Sequence, residues 1–201
     1  MADVGMGVKG VTSLAKATSS MAVLASVNVL KNPIGDDGLT TLAAAVEASS
    51  VGSICGLVEG QTSVDWSNQN FSPFDCKIIA VDFGFRRFIA VINEVNVSQN
   101  PIGVEGGKAL ANVIPECSSL RWIVVGKAAR IPVHNAEVTS IDASGQDLGP
   151  GEVTVLAAAI STDAVLASVN LSGNAFDKES RSALQDSVSS RQPTIELIWD
   201  K

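Results

Sequence analysis

At 201 residues, with 46% hydrophobic side chains and a mean hydropathy of +0.27, the chain can bury a sizeable core, as one domain or a repeat array, and is no disordered tail. Its 21 acidic residues outnumber 14 basic ones, and the resulting charge of −7 would be repelled by phosphate and anionic lipid, so no nucleic-acid partner is expected; nor is membrane insertion, since no apolar run reaches bilayer length. Three cysteines without a CxxC (Cys55, Cys76, Cys117) read as reduced thiols in an intracellular, cytoplasmic setting, and 4% aromatic content with no Tyr suggests thin, closely packed layers.

The amino terminus has neither the apolar core of a signal peptide nor the arginines of a transit peptide. GVTSLAKA (10–17) aligns with GLTTLAAA (38–45), 28 residues on, so 1–20 reads as either half of a repeat or a cap helix. LASVNVLKNPI from Leu24 is a short strand and turn, followed by the helix IGDDGLTTLAAAV. Only 10 residues separate Ile54 from Val64, too few for a further helical coil, so 51–63 is expected to be irregular. VDWSNQNF at Val64 and VNVSQNPI at Val95 each restart the strand, followed by FSPFDCKIIAVDF and IGVEGGKALANVI as helices. Leu120, Ile123 and Val125 make another strand, but Ala128 falls where the pattern wants an amide, and Ile141 follows only 18 residues after Ile123; 126–137 is a second irregular stretch. IDASGQDL and LASVNLSGNAF then recur, each with its helix, LGPGEVTVLAAAI and FDKESRSALQDSV, before a closing strand at Ile195, Leu197 and Trp199.

Aligned on Val27, Val64, Val95, Ile141 and Val169, the copies share an apolar residue at the anchor and two on, an amide five on, and an apolar residue seven on. In the helices, Leu42, Ile79, Leu110, Leu156 and Leu184 form one column and Val46, Phe83, Ile114, Ile160 and Val188 another, four residues later and so on the same face. Units that cannot bury their apolar face alone must stack. The amides Asn32, Gln69, Asn100, Gln146 and Asn174 carry donors and an acceptor with which to satisfy turn backbone and link coils, forming a ladder.

This pattern resembles the LxxLxLxxNxL of leucine-rich repeats, and the helix GxxGxxxLA (Gly35, Gly38, Leu42, Ala43; Gly103, Gly106, Leu110, Ala111) resembles the ribonuclease-inhibitor-like subfamily. The resemblance implies one α/β domain over 1–201, a leucine-rich-repeat solenoid shaped as a horseshoe, with a parallel β-sheet on the concave face and helices on the convex face. It implies a protein-protein interaction module without catalytic activity, whose partner is a protein. Other members activate small GTPases, so regulation of such a GTPase is an alternative, as is a structural subunit of a larger assembly.

Strand residues lying between the inward positions face the concave surface. Those singled out for partner binding are Asn28, Asp65, Glu94, Asn96, Trp122, Asp142 and Asn170, in rows that also hold Ser26, Ser63, Ser140, Ser168 and Glu196. Such a row receives a basic partner or is simply a solvated face, and Trp122 is either an exposed anchor or folded into the core. Trp66 and Trp199 fall in inward columns. No cofactor or metal site is expected: His134 is the only histidine, and a Cys117–His134 nucleophilic pair lacks an orienting third group. GVEGGKA around Lys108 lacks the spacing and the hydroxyl of a phosphate loop. Of the sequons at Asn70, Asn96 and Asn170, the last two share a strand column, so they read as products of the repeat and weak evidence of glycosylation.

Overall fold

The computed structural model describes residues 4–18, 24–85, 87–189, 191 and 194–200. Among these residues six α-helices and seven short strands follow one another: α1 (Val8–Thr18), α2 (Gly35–Glu47), β1 (Ser63–Asp65), α3 (Pro73–Gly84), β2 (Glu94–Asn96), α4 (Gly103–Val113), β3 (Trp122–Val125), β4 (Ala129–Pro132), β5 (Ser140–Asp142), α5 (Pro150–Ser161), β6 (Ser168–Asn170), α6 (Lys178–Ser189) and β7 (Glu196–Ile198).

Each unit is held by the columns seen in the sequence. The inward strand residues Val27, Val64, Val95, Ile123 and Val169 are buried, Ile141 only partly, and both helix columns are fully enclosed. Spacing of four presents a double stripe from each helix to the strand layer, and no unit could cover that stripe by itself. Trp66 sits in the same core, its ring stacked on Phe83 at 6.3 Å, and Trp199 closes edge-on against Phe176 at 5.4 Å.

The strands form two sheets. β1, β2 and β3 are parallel, and β5, β6 and β7 are parallel. β4 runs antiparallel to β3 and ends the first sheet, a departure from the all-parallel sheet expected from the repeat. Its cause is local: Gly126, in the left-handed region at φ +61°, turns the chain back after β3 where the other units go on to a helix. Across this break the units stay joined at the turn, where the Lys127 N–H donates to the Gln146 carbonyl (2.8 Å) and the Ala128 N–H to Gln146 Oε1 (2.9 Å). The helix layer is continuous, α3 on α4, α4 on α5 and α5 on α6.

The stretch before β1 has no helix. Ser26 and Asn28 make isolated bridges to Ser53 and Cys55, and the segment is tied down from α3 by buried Asp82, which accepts the Ser53 hydroxyl (2.7 Å) and the Ile54 N–H (2.7 Å). Arg87 fixes it from the other side, donating to the carbonyls of Glu47, Ser49 and Val51.

A candidate interaction face on the strands

The amides divide by how far they reach. Asn32, Asn100 and Asn174 are buried, and each bonds in both directions. Asn100 donates through Nδ2 to the carbonyls of Trp66 (2.8 Å), Val97 (2.9 Å) and Ser98 (3.1 Å), and its Oδ1 accepts from Gln69 N and Phe71 N, both at 2.9 Å. Asn174 repeats this with Ala143 and Leu171 carbonyls and the N–H groups of Gln146 and Leu148; Asn32 holds Val29 and Leu30 carbonyls and the N–H groups of Val4 and Met6. One side chain thus satisfies the turn of its own unit and that of the unit before, groups which would otherwise be buried unpaired. Gln146 reaches back only to Ala128, and the exposed Gln69 side chain bonds only within its own turn, to Ser67. Where Gln69 does not reach, buried Asp75 of α3 accepts the Lys31 N–H of the preceding turn (2.6 Å) while capping its own helix through Ser72.

Except for Asn28, which makes an isolated antiparallel bridge to Cys55 outside the two sheets, the residues singled out for binding lie in register across the sheets. Ser63, Glu94 and Trp122 are neighbours in one row, and Asp65, Asn96 and Val124 in the next. In the second sheet the rows are Ser140, Ser168, Glu196 and Asp142, Asn170, Ile198. All but buried Val124 are exposed or half-buried, so the rows form a surface.

A role for one column was missed in the sequence. Asn28, Asp65, Asn96, Asp142 and Asn170 each accept, through Oδ1, the backbone N–H two residues on: Leu30, Ser67, Ser98, Ser144 and Ser172, at 2.9–3.2 Å. These are Asx turns that end each strand, so the column is structural on one oxygen whatever the other meets. Hydrogen bonds from the turn serines hold the Asp65 and Asp142 carboxyls below their ordinary pKa, for Asp65 chiefly the Ser67 backbone N–H and for Asp142 the Ser144 side chain followed by its N–H. A second overlooked column comes two residues after the first inward pair: Lys31, Asn68, Gln99, Gly145 and Gly173 all adopt left-handed φ of 52–71°. The glycines of two SG dipeptides were its signal.

Trp122 is neither a bare anchor nor a core residue. It is half-buried on the strand face, and the Arg130 guanidinium of β4 lies over its ring at 3.6 Å from the centroid. Arg130 reaches on to Glu94 of β2, with Nη2 and Nε at 2.7 and 3.2 Å from Oε2. Among the residues of the seven strands the carboxylates are Asp65, Glu94, Asp142 and Glu196, and Arg130 is the one cation.

The other candidates are placed in structural settings. The Cys117 thiol donates to the Val113 carbonyl (3.3 Å), and His134 Nε2 meets the Pro115 carbonyl (3.0 Å). Burial pushes the Cys76 thiol up to about 12 and the Cys55 thiol well above its ordinary value, so neither supplies a thiolate. Lys108 pairs with Glu105 on the first turns of α4 (3.0 Å). Among the described residues no group of three or more His, Cys, Asp or Glu could hold a metal ion, and no helix is long and apolar enough to cross a membrane.

Residues 91–111, which hold β2, the Asn100 ladder amide and most of α4, match the family described as Leucine Rich repeat. Over this unit the chain is similar to a leucine-rich repeat. The match takes in the unit whose Ile92, Val95, Val97, Ile102 and Leu110 are all buried. No curated protein matches the chain. Among solved structures, a tropomodulin C-terminal domain from Caenorhabditis elegans aligns over 90% of both chains at 16% identity and a TM-score of 0.33, too slight a likeness to carry an argument.

Proposed function

We propose that the chain is a non-catalytic protein-interaction module, and that its strand face receives a partner whose own surface is basic. Leucine-rich repeats are in general protein-interaction modules, and the reading rests on one observation. The strand face places Asp65, Glu94, Asp142 and Glu196 in register rows against a single cation, Arg130, with small polar residues between them. Electrostatic complementarity of this kind raises the association rate and selects against like-charged partners. Within this reading the units stack as a curved horseshoe of the ribonuclease-inhibitor-like type, supported by the 28-residue spacing of β5, β6 and β7 and by a helix in most units. Asn28, Asn96, Asn170 and Trp122 complete the face, and the setting is cytoplasmic, with no nucleic-acid partner.

Affinity capture with the wild-type chain and with Asp65→Lys/Asp142→Lys tests this. Both sites are exposed, but each substitution removes an Asx-turn acceptor, so thermal unfolding of the variant beside the wild type establishes that it is folded before capture. A specific partner retained by the wild type and lost by the variant is the expected outcome. A partner held equally by both removes the strand face as the binding surface.

A further inference from the structure

We infer that Arg130 is an internal stand-in for an arginine of the partner: it occupies a guanidinium site made of the Trp122 ring and the Glu94 carboxylate, and leaves it when the partner binds. This rests on reading the strand face as the docking surface, and it names both the chemistry received there and what holds the site closed.

The parts of the site come from three strands. Glu94 and Trp122 are direct neighbours across β2 and β3, so one guanidinium reaches both. Arg130 is paired in register with Val124, one diagonal step from Trp122, and crosses the ring to reach Glu94. A flat guanidinium with its face on an indole and its edge on a carboxylate uses both of its recognition modes at once. The two supports are independent of Arg130: Trp122 and Glu94 belong to parallel strands held by the unit stack, whereas Arg130 belongs to the edge strand β4.

Occupancy by Arg130 is also reversible. Its side chain is 47% exposed and that of Glu94 33%, so the pair is solvated and worth little as a stability element. A partner arginine loses nothing in contact quality by taking the same place, and gains from Asp65, one strand beyond Glu94, and Asp142 on the second sheet, whose carboxylates are left facing outward. Released Arg130 remains on the exposed side of β4, where water solvates it. The occupant is therefore a protein segment bearing arginine in a basic context.

The experiment titrates an end-blocked tetra-arginine peptide into the full chain by fluorescence anisotropy. Variants are Arg130→Gln, Arg130→Gln/Trp122→Leu, Asp65→Asn/Asp142→Asn, and Lys127→Gln, which removes an equal charge from the adjoining turn. Arg130→Gln is expected to bind the peptide roughly tenfold more tightly than wild type, with most of that gain absent from Lys127→Gln and lost when Trp122→Leu is added. Equal affinity of wild type and Arg130→Gln, an equal gain in Lys127→Gln, or a gain that survives Trp122→Leu would overturn the exchange. If Asp65→Asn/Asp142→Asn weakens binding while Arg130→Gln leaves it unchanged, the exchange fails and the docking face stands. If none of these changes matters, both readings fall.

Discussion

Asn100 shows how much one side chain can carry when its position is fixed by a repeat. It makes five hydrogen bonds to backbone at 7% exposure, joining two units. Asn100→Ala strands several buried groups at once and should cost about 3 kcal/mol, whereas Gln69→Ala, in the same column but exposed, should change stability by less than about 0.5 kcal/mol; urea unfolding of the two variants measures the contrast. Asp82 gives a pH-dependent counterpart. Burial raises its pKa above 3.8, so the folded chain holds that proton more tightly than the unfolded one. Its contribution to stability is therefore complete below 3.8 and is lost as pH rises through the raised value. Unfolding of wild type against Asp82→Asn should show the wild type losing ground as pH rises through that window; a parallel pair of curves would refute it. The sequence could not show which role an Asn or Asp plays. Asn96 and Asp142 read as polar face residues, and a spacing pattern does not distinguish an exposed carboxylate from one already accepting a backbone N–H.

At the level of elements, the helices were legible because their evidence is periodic. Leu110 and Ile114 lie four apart, and the matching pairs in α2, α3, α5 and α6 are buried in the same way. β4 was not legible, since Ala129–Pro132 has no counterpart in the other units and contains a proline, which by itself argues against a strand. Nor was the cover over Trp122, which depends on a residue that this unpredicted strand brings alongside. Glycines kept for close approach were hidden too. A Cβ added at Gly107 of α4 would sit on the Gly151 carbonyl of α5, and one at Gly151 on the Gly103 carbonyl, so these helices touch through their backbones. Gly107→Ala should force them apart and destabilise by roughly 2 kcal/mol, while Gly84→Ala, with nothing within 4 Å, should be neutral or slightly stabilising. Thermal unfolding of the pair decides it, and equal losses would mean that α4 and α5 are not in backbone contact.

For the whole molecule, what the repeat made visible was the stacking principle; what it left hidden was where stacking is interrupted and what the interruption presents. The turn ladder and the helix layer carry the units past the break between β4 and β5, so the strand face is presented in two sheets joined at their turns. The acidic rows on that face meet one strand cation, Arg130, while the helices carry carboxylates of their own, among them Asp36 and Glu105, paired with Lys77 and Lys108, which serve as an internal reference. The most direct measurement is carbodiimide labelling of carboxylates, read by mass spectrometry, with and without the captured partner. Loss of labelling at Asp65, Asp142 and Glu196, with Asp36 and Glu105 unchanged, is the result this account predicts. Protection of Asp36 and Glu105 with the strand carboxylates still labelled would contradict it, and would place the partner on the helices instead.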